Sequence, residues 1–274
     1  MGQRQAKQES KDDIEIEEDD EGMTEVLRTH LTRLIAYAES ADTGLQREVA
    51  EKLANEAVKQ ERQQQIVELG GLRLLLPLTE SNDAEVQRLA AHALANLSVN
   101  ADNQITMAEE GGIEMLVKLL SIRKSNFEAV HRQASKALAN LGVNATNKEK
   151  ISDAQGIPPL VELAKSRNIS VSVEAIAALA NLAVNDANEV EIAESGGLEP
   201  ILAAAATENV DLQSQSARAL RNLSVNPENK KKIVGLGGIP ILMKLAGQSS
   251  DPGGGENRIV KQATRALANL GVSA

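Results

Sequence analysis

The sequence predicts an all-α solenoid of about six repeats, each built from three helices. The tripeptide Leu-Ala-Asn, or a near copy, ends six helix-like stretches at the ladder asparagines Asn55, Asn96, Asn140, Asn181, Asn222 and Asn269. These asparagines are 41, 44, 41, 41 and 47 residues apart. A Gly-Gly-Ile/Leu segment recurs between them, and the apolar residues are almost all aliphatic. A fixed period near forty residues indicates stacked copies of one supersecondary unit.

Each unit reads as a short helix, a second helix and a longer third helix. Glycine ends the first helix, as at Gly111, because it permits a sharp turn. Pro158, Pro200 and Pro240 fall near the start of the second helix, where a missing N–H costs least. The third helix carries the ladder asparagine, and the leucines two before and one after it should point into the stack. It ends at Val-Asn-x-x-Asn, where an asparagine such as Asn100 can cap the next helix.

The predicted array spans residues 23–274, and its first unit lacks the short helix. The units are 23–59, 60–101, 102–145, 146–186, 187–227 and 228–274. The two long spacings place insertions at 121–127 and at 247–257, where 251–255 reads as a flexible glycine-rich loop.

The net charge of −10 is concentrated near the N-terminus. Eight of the ten residues from 12 to 21 are acidic, so residues 1–22 are predicted to form a disordered, solubilising tail. This tail holds nine acidic and three basic residues; the remainder has 30 acidic and 26 basic residues, a net charge of −4.

Composition excludes several classes of function. Without cysteine there can be no disulfide, thiol catalysis or cysteine-ligated metal. No catalytic motif is present, and His30, His92 and His131 lack metal-ligand spacing, so each is expected on a surface or helix face and no cofactor is expected. Nucleic-acid binding is not expected, given the negative charge and near-absence of aromatic residues. No apolar run could span a bilayer, which favours the cytoplasm or the nucleus.

Two motifs carry a resemblance to a known family. They are Gly-Gly-Ile-x-x-Leu-Val-x-Leu-Leu at 111–120 and Ala-x-x-Ala-Leu-Ala-Asn-Leu-Ser-Val-Asn at 90–100. Over residues 23–274 the chain resembles the armadillo-repeat proteins. The resemblance implies a right-handed superhelix whose third helices line a concave groove, with the asparagine ladder pairing with the backbone of an extended peptide.

The residues beside each ladder asparagine define what the groove offers. Positions four and eight before an asparagine share its face of the helix. Four before stand Glu51, His92, Lys136, Ala177, Arg218 and Arg265; eight before stand Arg47, Arg88, Arg132, Val173, Ser214 and Lys261. Glu51 is the single acid among these twelve. The predicted peptide-binding residues are Asn96, Asn140, Asn181, Asn222, Asn269, Arg88, His92, Arg132, Lys136, Arg218, Lys261 and Arg265.

These residues predict a non-enzymatic scaffold or adaptor. An asparagine amide can pair with peptide backbone, and flanking Lys and Arg would select an acidic partner segment. The groove is therefore more like the β-catenin type than the importin-α type, whose members carry Trp four before the asparagine. The alternatives are a targeting or regulatory module of a larger protein, serving cargo, the cytoskeleton or a ubiquitin ligase, and importin-like binding of a basic peptide.

Two further hypotheses concern the ends of the array. The acidic segment 12–21 could bind the basic groove in cis, although a solvated arm is the simpler interpretation. The last unit lacks a polar capping helix, so self-association through the C-terminal repeat is expected if that end is open.

Overall fold

The computed structural model describes residues 22–122, 124, 126–248 and 257–272, and all regular elements within these ranges are helices. In chain order they are α1 Gly22–Ala38, α2 Thr43–Ala57, α3 Gln60–Glu68, α4 Leu72–Leu78, α5 Ala84–Leu97, α6 Ala101–Glu109, α7 Gly112–Ser121, α8 Glu128–Leu141, α9 Ala145–Asp153, α10 Ile157–Ala164, α11 Ile169–Leu182, α12 Asp186–Glu194, α13 Leu198–Ala205, α14 Val210–Leu223, α15 Pro227–Gly235, α16 Gly238–Ala246 and α17 Arg258–Asn269. The predicted tail, apart from Gly22, and the predicted loop 251–255 lie outside the described residues.

The helices form an α-solenoid, as predicted. Five complete units run from α3 to α17 in groups of three, and α1 with α2 makes an incomplete first unit. The third helices of successive units are α2, α5, α8, α11, α14 and α17. Each packs against the next, so these six helices form one continuous layer. All the ladder asparagines lie in this layer.

Aliphatic residues of the repeat fill the core. The leucines two before the ladder asparagines, such as Leu94 and Leu138, are fully buried. Those one after, such as Leu97 and Leu141, are buried equally, except Leu270 of the last unit, which is half-buried. The prediction that they point into the stack is confirmed. Burying each such side chain contributes about 1.5–3 kcal/mol to the free energy of folding. The leucines that mark the repeat therefore also stabilise the packing of its units.

The predicted helix boundaries have the expected local causes. Asn100 accepts hydrogen bonds from the amides of Asp102 and Asn103, which confirms it as the cap of α6, and the equivalent asparagines cap α9, α12 and α15. Gly111, with φ of 84°, takes the left-handed turn between α6 and α7. A Cβ on the next residue, Gly112, would lie 2.7 Å from the carbonyl oxygen of Met107, so only glycine fits there.

A second row of asparagines lies inside the fold. These residues start the first helices and are at most 2% exposed: Asn103, Asn147, Asn188 and Asn229. The Nδ2 of each donates to a carbonyl of the preceding first helix: Gln63, Gln104, Lys148 and Glu189, at 2.9–3.1 Å. This row joins successive units by hydrogen bonds and offers nothing to a ligand.

The structure corrects one expectation. His131 was expected on a surface or a helix face; it lies on α8 but is only 7% exposed, and its Nε2 lies 2.8 Å from the carbonyl oxygen of Ile122. It stands nine residues before Asn140, the position held by Gln87 in the preceding unit. Gln87 likewise donates to the carbonyl of a preceding turn, at Thr79. Both side chains satisfy a carbonyl of the loop that leads into the third helix.

Within the described ranges, no helix is both long and apolar enough to cross a membrane. The same residues contain no cluster of three or more His, Asp or Glu side chains suited to holding a metal ion.

Candidate functional site

We call the surface of the third-helix layer that carries the ladder asparagines the ladder face. The structure places the twelve predicted peptide-binding residues on α5, α8, α11, α14 and α17. The ladder asparagines differ in exposure along it. Asn55 is exposed, Asn222 is only 9% exposed, and the remaining four are half-buried.

In the C-terminal part of the ladder, the amide nitrogens are committed to the fold. The Nδ2 atoms of Asn140, Asn181, Asn222 and Asn269 donate to the carbonyls of Ala95, Ala139, Ala180 and Arg221, at 3.1, 2.6, 2.8 and 3.0 Å. Each bond ties a third helix to the one before it. Asn140 also donates to the Ser98 hydroxyl, and Asn269 donates to the Ser224 hydroxyl. These asparagines therefore have a structural role whether or not a ligand is bound.

At the N-terminal end the amide nitrogens are not committed in this way. The Nδ2 of Asn96 is buried without a hydrogen-bond partner, and within the described ranges no hydrogen bond holds the exposed side chain of Asn55. An unsatisfied buried donor is destabilising by about 1–3 kcal/mol. A ligand carbonyl would remove that cost once the amide of Asn96 turns its Nδ2 toward the surface.

The cations of the N-terminal part are paired with acids. Arg47 Nη2 lies 2.5 Å from Asp83 Oδ2, joining α2 to the cap of α5. Arg88 binds Glu85 through two hydrogen bonds, of 2.8 and 2.6 Å, one turn earlier on α5. The hydrogen bonds from Arg88 lower the pKa of Glu85, which shows that this carboxylate is held charged. The charge of each of these arginines is therefore already offset by an internal carboxylate, with which a ligand anion would have to compete.

The middle of the ladder face contains one internal anion. Glu174 of α11 is half-buried, and burial raises its pKa, while the charges of Lys136 and Arg132 oppose this effect. These two cations and Arg88 also face His92. Burial lowers the pKa of His92, and those three cations lower it further, so both effects favour the neutral imidazole. The remaining α11 residues of the predicted face, Val173 and Ala177, carry no charge.

Three arginines lie together at the C-terminal end of the ladder face. Arg218 and Arg221 belong to α14, and Arg265 belongs to α17. Burial lowers the pKa of Arg218, and the charge of Arg221 lowers it further; burial and the charge of Arg265 do the same to Arg221. Among the described residues, no ion pair joins any of the three to an acid.

Hydrogen bonds hold two of these guanidinium groups in place. Arg218 Nη2 donates to the Ala177 carbonyl at 3.1 Å, whereas its Nε is buried without a partner. Arg221 Nε and Nη2 both donate to Oδ1 of Asn222, at 3.0 and 2.7 Å. Because Asn222 already uses Nδ2 at Ala180, both ends of its amide are bonded inside the protein. Arginine, not the amide, is the group this unit offers to a ligand.

Comparisons with known proteins now identify the fold. The family model described as Armadillo/beta-catenin-like repeat matches five consecutive segments: 59–99, 100–143, 144–184, 185–225 and 226–272. The chain belongs to the armadillo repeat family. The resemblance stated from sequence is thereby confirmed, and the armadillo repeat fold is in general a protein-binding scaffold.

Three of the solved structures that share this fold are engineered proteins. One engineered protein has 35% identity and a TM-score of 0.77, covering 87% of this chain and 95% of its own. A computationally designed armadillo repeat protein for modular peptide recognition has 27% identity and a TM-score of 0.77, covering 88% and 99%. A designed armadillo repeat protein in complex with the peptide (KR)4 has 27% identity and a TM-score of 0.76, covering 88% and 100%. A search of curated proteins finds no match.

The structure adds one residue to the predicted armadillo ladder face. Arg221 was not among the predicted site residues, yet it lies between Arg218 and Arg265. The position before each of the other ladder asparagines is alanine, so Arg221 is the one departure from Leu-Ala-Asn. That departure was the available signal. Contact of any of these residues with a ligand remains a prediction.

Proposed function

We propose that this armadillo array is a scaffold that binds an extended, acidic segment of a partner protein along its ladder face. The observation that carries the proposal is the cluster of Arg218, Arg221 and Arg265, which lacks acidic partners in the described part of the chain. Uncompensated cations, two of them half-buried, repel one another, and an anionic ligand would turn that repulsion into attraction. Guanidinium groups bind carboxylates through two parallel hydrogen bonds.

The arrangement of the ladder face supports a segment with distinct parts. Near Asn55 and Asn96, uncommitted amides suit the backbone of an extended chain. Over α11, Val173 and Ala177 suit an uncharged residue, and the arginine cluster suits acidic residues. Packed helices are about 8–10 Å apart, and an extended chain rises about 3.3 Å per residue. A segment of roughly eight residues would therefore reach from α5 to α14.

A basic ligand is the main competing candidate, because one structural neighbour is complexed with (KR)4. A basic peptide needs carboxylates on the ladder face. Most of the described acids on or beside it are already paired, Asp83 with Arg47, Glu85 with Arg88 and Glu48 with Lys52. Glu51 lies at the N-terminal edge, and the half-buried Glu174 faces Arg132 and Lys136. The balance of charge therefore favours an acidic segment.

The test is a charge reversal with a matched control. The probe is a fluorescent eight-residue peptide of alternating Asp and Glu, (DE)4, and affinity is measured by anisotropy. Arg218→Glu with Arg265→Glu should weaken binding by at least about a hundredfold, since two charge-assisted contacts of about 1.5–3 kcal/mol each are lost. Lys231→Glu with Lys232→Glu makes the same change of charge on α15, outside the ladder face, and should weaken binding less than about threefold. Equal losses in the two variants would contradict the proposal.

A further inference from the structure

The arginine cluster is more specialised than general attraction to acidic residues requires. Arg221 occupies a position that is alanine in every other unit. The alanines before the inner ladder asparagines are buried; Ala95 and Ala180, for example, are at most 1% exposed. Arg221 is instead a half-buried side chain beside α17, because its backbone carbonyl accepts a hydrogen bond of 3.0 Å from Asn269 of that helix. The charge of Arg265, also on α17, contributes to lowering the pKa of Arg221.

The cluster also keeps hydrogen-bond donors that the fold does not use. Arg218 donates Nη2 to the carbonyl of Ala177, its Nε is buried, and its Nη1 has no hydrogen bond within the described ranges. Arg221 spends Nε and Nη2 on Asn222, so Nη1 has no bond within the described ranges. Arg265 is exposed, and the described residues provide no hydrogen bond to its guanidinium. Three positive charges with donors left over exceed what one carboxylate can neutralise.

We propose that Arg218, Arg221 and Arg265 form a subsite for a phosphorylated side chain, phosphoserine or phosphothreonine, of the bound segment. This inference rests on the proposed function. A phosphoryl group carries about −1.5 to −2 charges at pH 7 and three strong acceptor oxygens. It can therefore engage three guanidinium groups at once, whereas a carboxylate has one charge and two oxygens.

The contrast with the N-terminal part supports a local subsite. Arg47 and Arg88 are already bound to Asp83 and Glu85, so a dianion there would have to compete with an internal carboxylate. In the C-terminal cluster the described chain supplies no such competitor. Phosphate selectivity is therefore expected at one end of the ladder face and not at the other.

The experiment uses ten-residue peptides of mixed Glu and Ala in which one position, moved stepwise along the chain, is Ser, phosphoserine or Glu. At one or two adjacent positions, phosphoserine should bind about tenfold more tightly than Glu, the gain of at least one charge-assisted hydrogen bond. Arg221→Ala, which introduces the residue of the other units, should reduce that preference below about twofold. Arg88→Ala, the control at the other end, should leave the ratio of the two affinities unchanged.

The outcomes separate this inference from the proposed function. Binding of the unphosphorylated peptides with no phosphoserine preference at any position would overturn the subsite alone, and so would a preference that survives Arg221→Ala in a variant whose circular dichroism is unchanged. If no peptide binds, both proposals fail. Inorganic phosphate should displace the phosphopeptide only at concentrations about a hundredfold above the peptide Kd, and displacement at equal concentration would assign the site to free phosphate.

Discussion

The two ends of the ladder face use the same repeat in opposite ways. At the N-terminal end, Arg47 and Arg88 are paired with acids, while the amide nitrogens of Asn55 and Asn96 have no partner in the described chain. At the C-terminal end, Asn222 and its neighbours use their amide nitrogens to tie units together, and the arginines have no acidic partner among the described residues. One sequence pattern thus produces a surface suited to peptide backbone and another suited to anionic side chains. The two ends differ in which polar side chains already make hydrogen bonds or ion pairs within the protein.

The largest expected effect compares the two pairs of arginines directly. Arg218→Gln with Arg265→Gln should weaken (DE)4 binding about tenfold to thirtyfold, because available guanidinium groups are lost. Arg47→Gln with Arg88→Gln removes the same charge but should cost only about threefold, because those arginines are bound to Asp83 and Glu85. Calorimetric titration of both variants measures the ratio. A larger loss from the N-terminal pair would reverse the assignment.

The next effect concerns stability. Asn222→Ala should lower the free energy of unfolding by about 1–3 kcal/mol, since it removes the bond to Ala180 and the acceptor for Arg221. Asn96→Ala, at the equivalent position, should cost less than about 0.5 kcal/mol because its Nδ2 has no partner to lose. Urea denaturation followed by circular dichroism compares them. Equal destabilisation would show that Asn96 is also bonded in solution.

A smaller effect is expected from the internal anion. Glu174→Gln removes the carboxylate that faces Arg132 and Lys136, so these cations become fully available and (DE)4 should bind about threefold more tightly. Glu162→Gln is the matched control, since Glu162 pairs with Lys165 on α10, outside the ladder face. Unchanged or weaker binding in Glu174→Gln would show that Glu174 does not compete with the ligand.

The smallest effect is a pH dependence due to His92. Its pKa is lowered in the folded chain, so below the ordinary value of about 6.5 the unfolded state binds more protons, and this contribution lowers stability as pH falls through that interval. Arg88, Arg132 and Lys136 face His92, and Glu174 faces the last two of these cations. An acidic ligand bound there would offset the positive charge around His92 and so make its protonation easier. Affinity for (DE)4 should therefore rise about twofold from pH 7 to pH 5.5, and His92→Gln should flatten the rise. The same slope in His92→Gln would exclude this residue as its source.

The sequence predicted the features that depend on local pattern. Helix ends at Asn100 and Gly111 follow from the chemistry of those residues, and the core leucines follow from their spacing around the ladder asparagines. The chain could not show which carbonyl each asparagine meets, because that depends on the register between units about forty residues apart. For the same reason the buried row that includes Asn103, and the bond of His131 to Ile122, became visible only in the structure. The sequence shows Arg221 as the one residue before a ladder asparagine that is not alanine. It does not show which side chains lie beside Arg221 in the folded chain.

The most direct test of the central claim compares two peptides of equal length and opposite charge on the unaltered chain. Fluorescence anisotropy would measure binding of (DE)4 and (KR)4 at low ionic strength and again in 0.5 M salt. An armadillo ladder face with an available arginine cluster should bind (DE)4 at least about tenfold more tightly than (KR)4, and salt should weaken that binding. Tighter binding of (KR)4 would contradict it.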